Sequence, residues 1–152
     1  MGWVYWLALV FGLTLLALSG CTELFEDDLG RDPTVIPSPA AGGETARVTY
    51  VIDGDTIEVS LDGRTYRVRY IGIDTPETGE PCGSEATAAN TSFVIGQTVE
   101  MVKDVSETDK YGRLLRYVYV GDLFVNAVLV DQGFAEAIEY PPDTAYAALF
   151  EQ

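Results

Sequence analysis

Short runs of alternating apolar residues, Asp-Gly turn signals between them and two helix-length stretches predict a mainly β domain with helices (α+β) over residues 47–152. A chain of that length suits one domain with a modest core.

The first expected strand is Arg47 to Ile52, and Asp53-Gly54 then turns or bulges the chain. Thr56 to Leu61 alternates as a half-buried strand should. Asp62-Gly63 is a hairpin signal, because glycine accepts the positive φ that a tight turn requires. Arg64 to Ile73 is the partner strand. Ser84 is placed to cap a helix that runs through EATAANTSFVI and stops at Gly96. Gln97 to Val105 and Leu114 to Val120 are two further strands with a polar loop between them. After the Gly121-Asp122 turn, Val125 to Gln132 reads as a helix closed by Gly133. The stretch from Tyr146 to Gln152 reads as the start of an amphipathic helix. Five strands with interposed helices suit a five-stranded OB-type β-barrel with two to three α-helices, the last one truncated.

The N-terminal region differs in composition. Trp3 to Ser19 is almost wholly apolar, short for a membrane span but suited to the apolar region of an export signal. It ends in Leu18-Ser19-Gly20-Cys21, which resembles a bacterial lipoprotein signal, although no Lys or Arg precedes the apolar run. The expectation is a signal peptide over residues 1–20, lipidation at Cys21 and a membrane-anchored domain outside the cytoplasm. An uncleaved signal anchor is the alternative. Residues 21–46 are acidic and rich in Pro, Gly and Ala, and read as a flexible tether.

Composition narrows the chemistry. The chain has no histidine, which excludes a His general base, a Ser-His-Asp triad and a His-ligated metal. With Cys21 before the domain, Cys82 is a lone thiol and has no internal disulfide partner. From Arg47 onward there are 8 Lys and Arg against 18 Asp and Glu, a net charge of −10. Such a surface repels nucleic acid at long range, while a bound divalent cation would reduce the deficit locally.

Three clusters stand out: Ile52-Asp53-Gly54-Asp55-Thr56, Arg69 through Asp74-Thr75-Pro76-Glu77-Thr78, and Thr108-Asp109-Lys110-Tyr111-Gly112-Arg113. Singly, each has an ordinary explanation as a turn, a strand end or a hairpin tip. Together they meet the needs of phosphodiester hydrolysis. Two carboxylates and a backbone carbonyl, from Asp55, Asp74 and Thr75, are the hard oxygen donors that Ca²⁺ takes. Arg69 and Arg113 offer paired N–H groups for phosphate oxygens, a geometry lysine cannot match. Glu77 follows the metal donors closely and can orient or deprotonate water. Arg69 and Asp74 are five residues apart, so on a regular strand they face opposite sides. Both reach one site only if the chain bends before Asp74, and Gly72 is the expected place.

In this order and spacing the clusters resemble the staphylococcal nuclease family. Glu85-Ala86-Thr87-Ala88 and the stretch from Val125-Asn126 to Ala135 resemble it too. The resemblance implies an OB barrel and a Ca²⁺-dependent endonuclease acting on DNA and RNA. It implies metal binding by Asp55, Asp74 and the carbonyl of Thr75, and catalysis by Arg69, Glu77 and Arg113. It also implies contact of Lys110 and Tyr111 with the nucleotide phosphate. Two features depart from the family. Its nucleotide-stacking tyrosines are not clearly matched, Tyr140 being the candidate, and its last helix is longer. The competing reading is an OB module that binds nucleic acid or another ligand without cleaving it.

Overall fold

The computed structural model describes residues 42–152. The lipidation expected at Cys21 and the signal expected over residues 1–20 lie outside the described residues.

Eight strands and three helices follow in chain order: β1 (Glu44–Val51), β2 (Thr56–Leu61), β3 (Arg64–Tyr70), β4 (Ile73–Asp74), α1 (Gly83–Val94), β5 (Thr98–Val102), β6 (Leu114–Val120), β7 (Leu123–Phe124), α2 (Val125–Asp131), β8 (Glu136–Ala137) and α3 (Ala147–Phe150). The main sheet runs β3-β2-β1-β5-β6-β7, and an added β3–β6 pairing closes β1, β2, β3, β5 and β6 into the expected five-stranded barrel. The closing pair is parallel, with Val68 opposite Leu114 and Tyr70 opposite Arg116. The first strand begins at Glu44, inside the stretch expected to be tether. It serves two neighbours, pairing β5 through residues 44–47 and β2 from Arg47 onward. A register shift between Val48 and Tyr50 bends it from one to the other.

Three local corrections have physical causes. The strand expected over 64–73 breaks after Tyr70. Gly72 takes φ +78°, and Ile73–Asp74 pairs instead with β8. This is the irregularity anticipated at Gly72. The strand expected over 97–105 ends at Val102, because the amides of Val105 and Ser106 donate to Asp143 Oδ1 at 2.8 and 2.7 Å. Ser84 does not cap α1. Its hydroxyl donates to Glu85 Oε2, and the cap position falls on Cys82, in the left-handed region at φ 66°. Gly83 enters the helix against the preceding loop, where a Cβ would lie 2.1 Å from the Glu77 carbonyl oxygen.

The end of α2 shows why Gly133 follows it. The amide of Gly133 donates to the Val130 carbonyl and that of Phe134 to the Leu129 carbonyl, with Gly133 at φ +74°. This paired closure needs a residue free to adopt positive φ. The last helix, α3, is a single turn. Phe150 is buried, and with Tyr146 it packs against Tyr117 and Phe124. The chain therefore covers this part of the barrel with aromatic rings. Tyr140, the candidate stacking residue, is half-buried against the core.

Gly72 also lies under that aromatic cover, where a Cβ would come within 2.7 Å of the Phe150 ring. Gly72→Ala is expected to destabilise the domain by more than the ~1–2 kcal/mol of left-handed strain alone. Urea unfolding measures this; an unchanged midpoint would show that the turn is not constrained.

On β6, Arg116 is 2% exposed. It donates to the carbonyls of Glu107 and Leu115 at 3.1 and 2.9 Å and pairs with the carboxylates of Glu44 and Glu107. Hydrogen bonding from Arg116 holds the Glu107 carboxyl below its usual pKa. A depressed folded value means that this contribution is present above the ordinary glutamate pKa of about 4.3 and is lost as pH falls through the folded one. Glu107→Gln should therefore lower stability at neutral pH and lose that difference in acid. Thermal unfolding across the acid range checks it, and a pH-independent difference would refute it.

Candidate active site

Asp53, Gly54 and Asp55 form a tight turn into β2. The amides of Ile52 and Asp53 donate to the Thr56 carbonyl at 2.9 and 3.3 Å, and the Asp55 amide donates to Asp53 Oδ1 at 3.0 Å. A Cβ at Gly54 would lie 2.7 Å from Thr75 Oγ1, so glycine is what lets the turn approach the next cluster. Across that contact, Asp55 Oδ2 accepts the Thr75 amide at 2.8 Å and its hydroxyl at 3.0 Å. Asp55 Oδ1 accepts the Thr56 hydroxyl at 3.1 Å.

Arg69 comes from the end of β3. Its Nη1 faces Asp55 Oδ1 as an ion pair, and its Nη2 lies 2.5 Å from Asp74 Oδ1. The turn at Gly72 brings Asp74 round to meet it. Asp55 and Arg69 are buried, whereas the Asp74 side chain is 58% exposed. Two carboxylates thus converge on one positive charge.

The third cluster is a self-closed loop. Asp109 Oδ1 accepts the amides of Tyr111 and Arg113, and its Oδ2 accepts Arg113 Nε at 2.6 Å. Burial works against the Asp109 charge, but these bonds outweigh it and hold its carboxyl below the usual range. Lys110 and the guanidinium of Arg113 lie over the Tyr111 ring, 5.0 and 5.4 Å from its centre. Burial raises the pKa of Asp53 against the pull of Thr56, Arg69 and Arg113. The β3–β6 register, with Val68 opposite Leu114, sets Arg113 beside the end of β3 that carries Arg69.

The structure therefore brings Asp55, Arg69, Asp74 and Thr75 into direct contact and sets Arg113 near them. Lys110 and Tyr111 stand exposed at the loop tip. Glu77 is exposed; its amide donates to Glu80 Oε2 at 2.9 Å, and its carboxylate makes no hydrogen bond or ion pair with the cluster. The described residues hold no group of three acidic, Cys or His side chains that could ligate a metal. The two carboxylates that meet at Arg69, Asp55 and Asp74, are hard oxygen donors of the kind a divalent cation such as Ca²⁺ takes.

Two buried asparagines, Asn90 and Asn126, carry no role legible in the sequence. Asn90 on α1 donates to the Asp53 carbonyl and accepts from Tyr70, both at 3.0 Å. Asn126 on α2 donates to the Ile71 carbonyl and accepts from the Val118 amide, also both at 3.0 Å. The signal available was an amide within an otherwise apolar or small helix face, as in Ala86, Asn90 and Val94.

Comparison with known proteins identifies relatives of this chain. The family model for staphylococcal nuclease homologue matches residues 67–152. Similar curated proteins include a thermonuclease of Staphylococcus intermedius, 39% identical over 147 residues, or 93% of this chain and 88% of the relative. A thermonuclease of Staphylococcus hyicus is 40% identical over 74% of this chain and 70% of its own length. Endonuclease YncB of Bacillus subtilis is 40% identical over 65% of this chain and 51% of the relative. Fold and relatives place the chain among the nucleases, a class of hydrolase. It belongs to the staphylococcal nuclease homologue family.

Proposed function

We propose that the chain is a Ca²⁺-dependent endonuclease that hydrolyses phosphodiester bonds in DNA, RNA or both at the cell envelope. The observation that carries the catalytic part is the convergence of Asp55 and Asp74 on Arg69. Carboxylates drawn to one guanidinium are placed to share a cation, and the thermonuclease relatives support this reading.

Asp55, Asp74 and the Thr75 carbonyl would hold Ca²⁺, which supplies positive charge against the phosphate and favours ionisation of water. Arg69 presents N–H groups where charge grows on the phosphoryl oxygens. Arg113 supplies a second guanidinium from the opposite loop and stabilises the departing oxygen. Glu77, at the solvent-facing rim, takes the proton from the attacking water. Lys110 and Tyr111 bind the neighbouring phosphate of the strand. The domain's negative surface slows capture of the polyanion, so binding rests on these few cationic groups.

Hydrolysis of single- and double-stranded DNA and of RNA, with Ca²⁺ and with a chelator, tests the proposal. Activity that survives chelation would overturn calcium dependence. Oligonucleotide binding without cleavage would favour the non-catalytic module. For the envelope, lipid labelling is expected on the full chain and absent from Cys21→Ser; equal labelling of both would exclude that thiol as the anchor.

A further inference from the structure

Asn90 is fully buried on the inward line of α1, between Ala86 and Val94. Burying an amide there is unfavourable unless both its ends are bonded. Both are. Nδ2 donates to the Asp53 carbonyl, and Oδ1 accepts the Tyr70 hydroxyl. The Asp53 carbonyl can only accept, so the amide's orientation is settled by chemistry, and Tyr70 must be the donor. Burial raises the Tyr70 phenol far above its usual pKa and keeps that proton in place.

Tyr70 follows Arg69 in the chain, and its backbone amide donates to the Asp55 carbonyl at 2.9 Å. One residue therefore grips both ends of the Asp53–Asp55 turn: Asp55 directly, and Asp53 through Asn90. The turn in turn aims the Asp55 carboxylate at Thr75 and Arg69.

We propose that Asn90, oriented by Tyr70, is a positioning residue that holds the Asp53–Asp55 turn so that Asp55 can bind the catalytic cation, making α1 part of the active site. The proposal rests on the reading of Asp55 as a Ca²⁺ ligand. It assigns Asn90 no contact with substrate or metal.

The test compares Asn90→Leu, which removes both bonds at similar volume, with Tyr70→Phe, which removes only the orienting hydroxyl. Val99→Ala, in β5 and outside the site, serves as a control for general loss of stability. Ca²⁺ affinity is measured by calorimetry, and exchange of the Asp55 amide hydrogen by NMR, each beside urea unfolding. Asn90→Leu is expected to weaken Ca²⁺ binding about tenfold or more and to speed Asp55 exchange about tenfold beyond the change in global stability. Tyr70→Phe should shift both in the same direction by less, and Val99→Ala should shift neither. Wild-type Ca²⁺ affinity in a folded Asn90→Leu, with Asp55 exchange tracking global unfolding, would overturn the proposal. If Asn90→Leu does not fold, the same two readouts in Tyr70→Phe decide it. Failure of the wild-type chain to bind Ca²⁺ would refute the calcium reading instead, and Asp55 exchange alone would then judge the positioning role.

Discussion

Arg69→Ala is expected to cut kcat by about 10²–10³, the usual cost of deleting one preorganised donor to a charged transition state. The same change should destabilise the metal-free protein by about 3–5 kcal/mol, because it leaves the buried Asp55 carboxylate without its counter-charge. Added Ca²⁺ should then recover part of the stability but not the activity, since a cation can replace the guanidinium beside Asp55 but not its N–H groups on the phosphate. Single-turnover kinetics and urea unfolding with and without Ca²⁺ separate the two losses. A variant with wild-type kcat would remove Arg69 from the mechanism. Equal destabilisation at all Ca²⁺ concentrations would show that Asp55 does not share its charge with a metal.

Glu77→Gln is expected to act differently. The side chain is exposed and makes no hydrogen bond or ion pair with the cluster, so neither stability nor Ca²⁺ affinity should move. Loss of a general base should lower kcat by about 10²–10⁴. A drop in activity matched by a drop in Ca²⁺ affinity would instead make Glu77 part of the metal site.

Much of the fold was legible because its signals are local. Thr56–Leu61 and Leu114–Val120 were located to the residue. Each lies between a turn dipeptide or polar loop and its neighbour. The Asp62-Gly63 hairpin was legible for the same reason, and both residues take positive φ. The break at Gly72 followed from a chemical demand, that Arg69 and Asp74 share one site despite odd spacing. What escaped notice depends on distant partners. Val105 and Ser106 have β-compatible neighbours, but their amides go to Asp143, more than 35 residues away. The β4–β8 ladder is two residues long on each side and carries no periodicity. Asn90 looked like any polar helix residue until Asp53 and Tyr70 were placed beside it. The direct contacts of Asp55, Arg69, Asp74 and Thr75 agree with the grouping read from sequence. The bond from Arg113 to Asp109 was not anticipated, although both residues stood in the cluster.

The parallel β3–β6 seam divides the site by the order in which its parts can meet. Asp55 and Arg69 flank the β2–β3 hairpin, so a short length of chain brings these two together, whereas Asp74 is fixed by its pairing with Glu136 in β8. Arg113 immediately precedes Leu114, the residue that seats against Val68 when the barrel shuts. Joining these strands closes a loop of more than 40 residues, a slower and entropically costlier event than forming a hairpin. The Asp55–Arg69 pair is thus the part that can meet first, while Asp74 waits for β8 and the second guanidinium arrives only with the finished barrel. A complete centre therefore reports a completed fold, and a partly folded chain carries its chemistry in unjoined pieces.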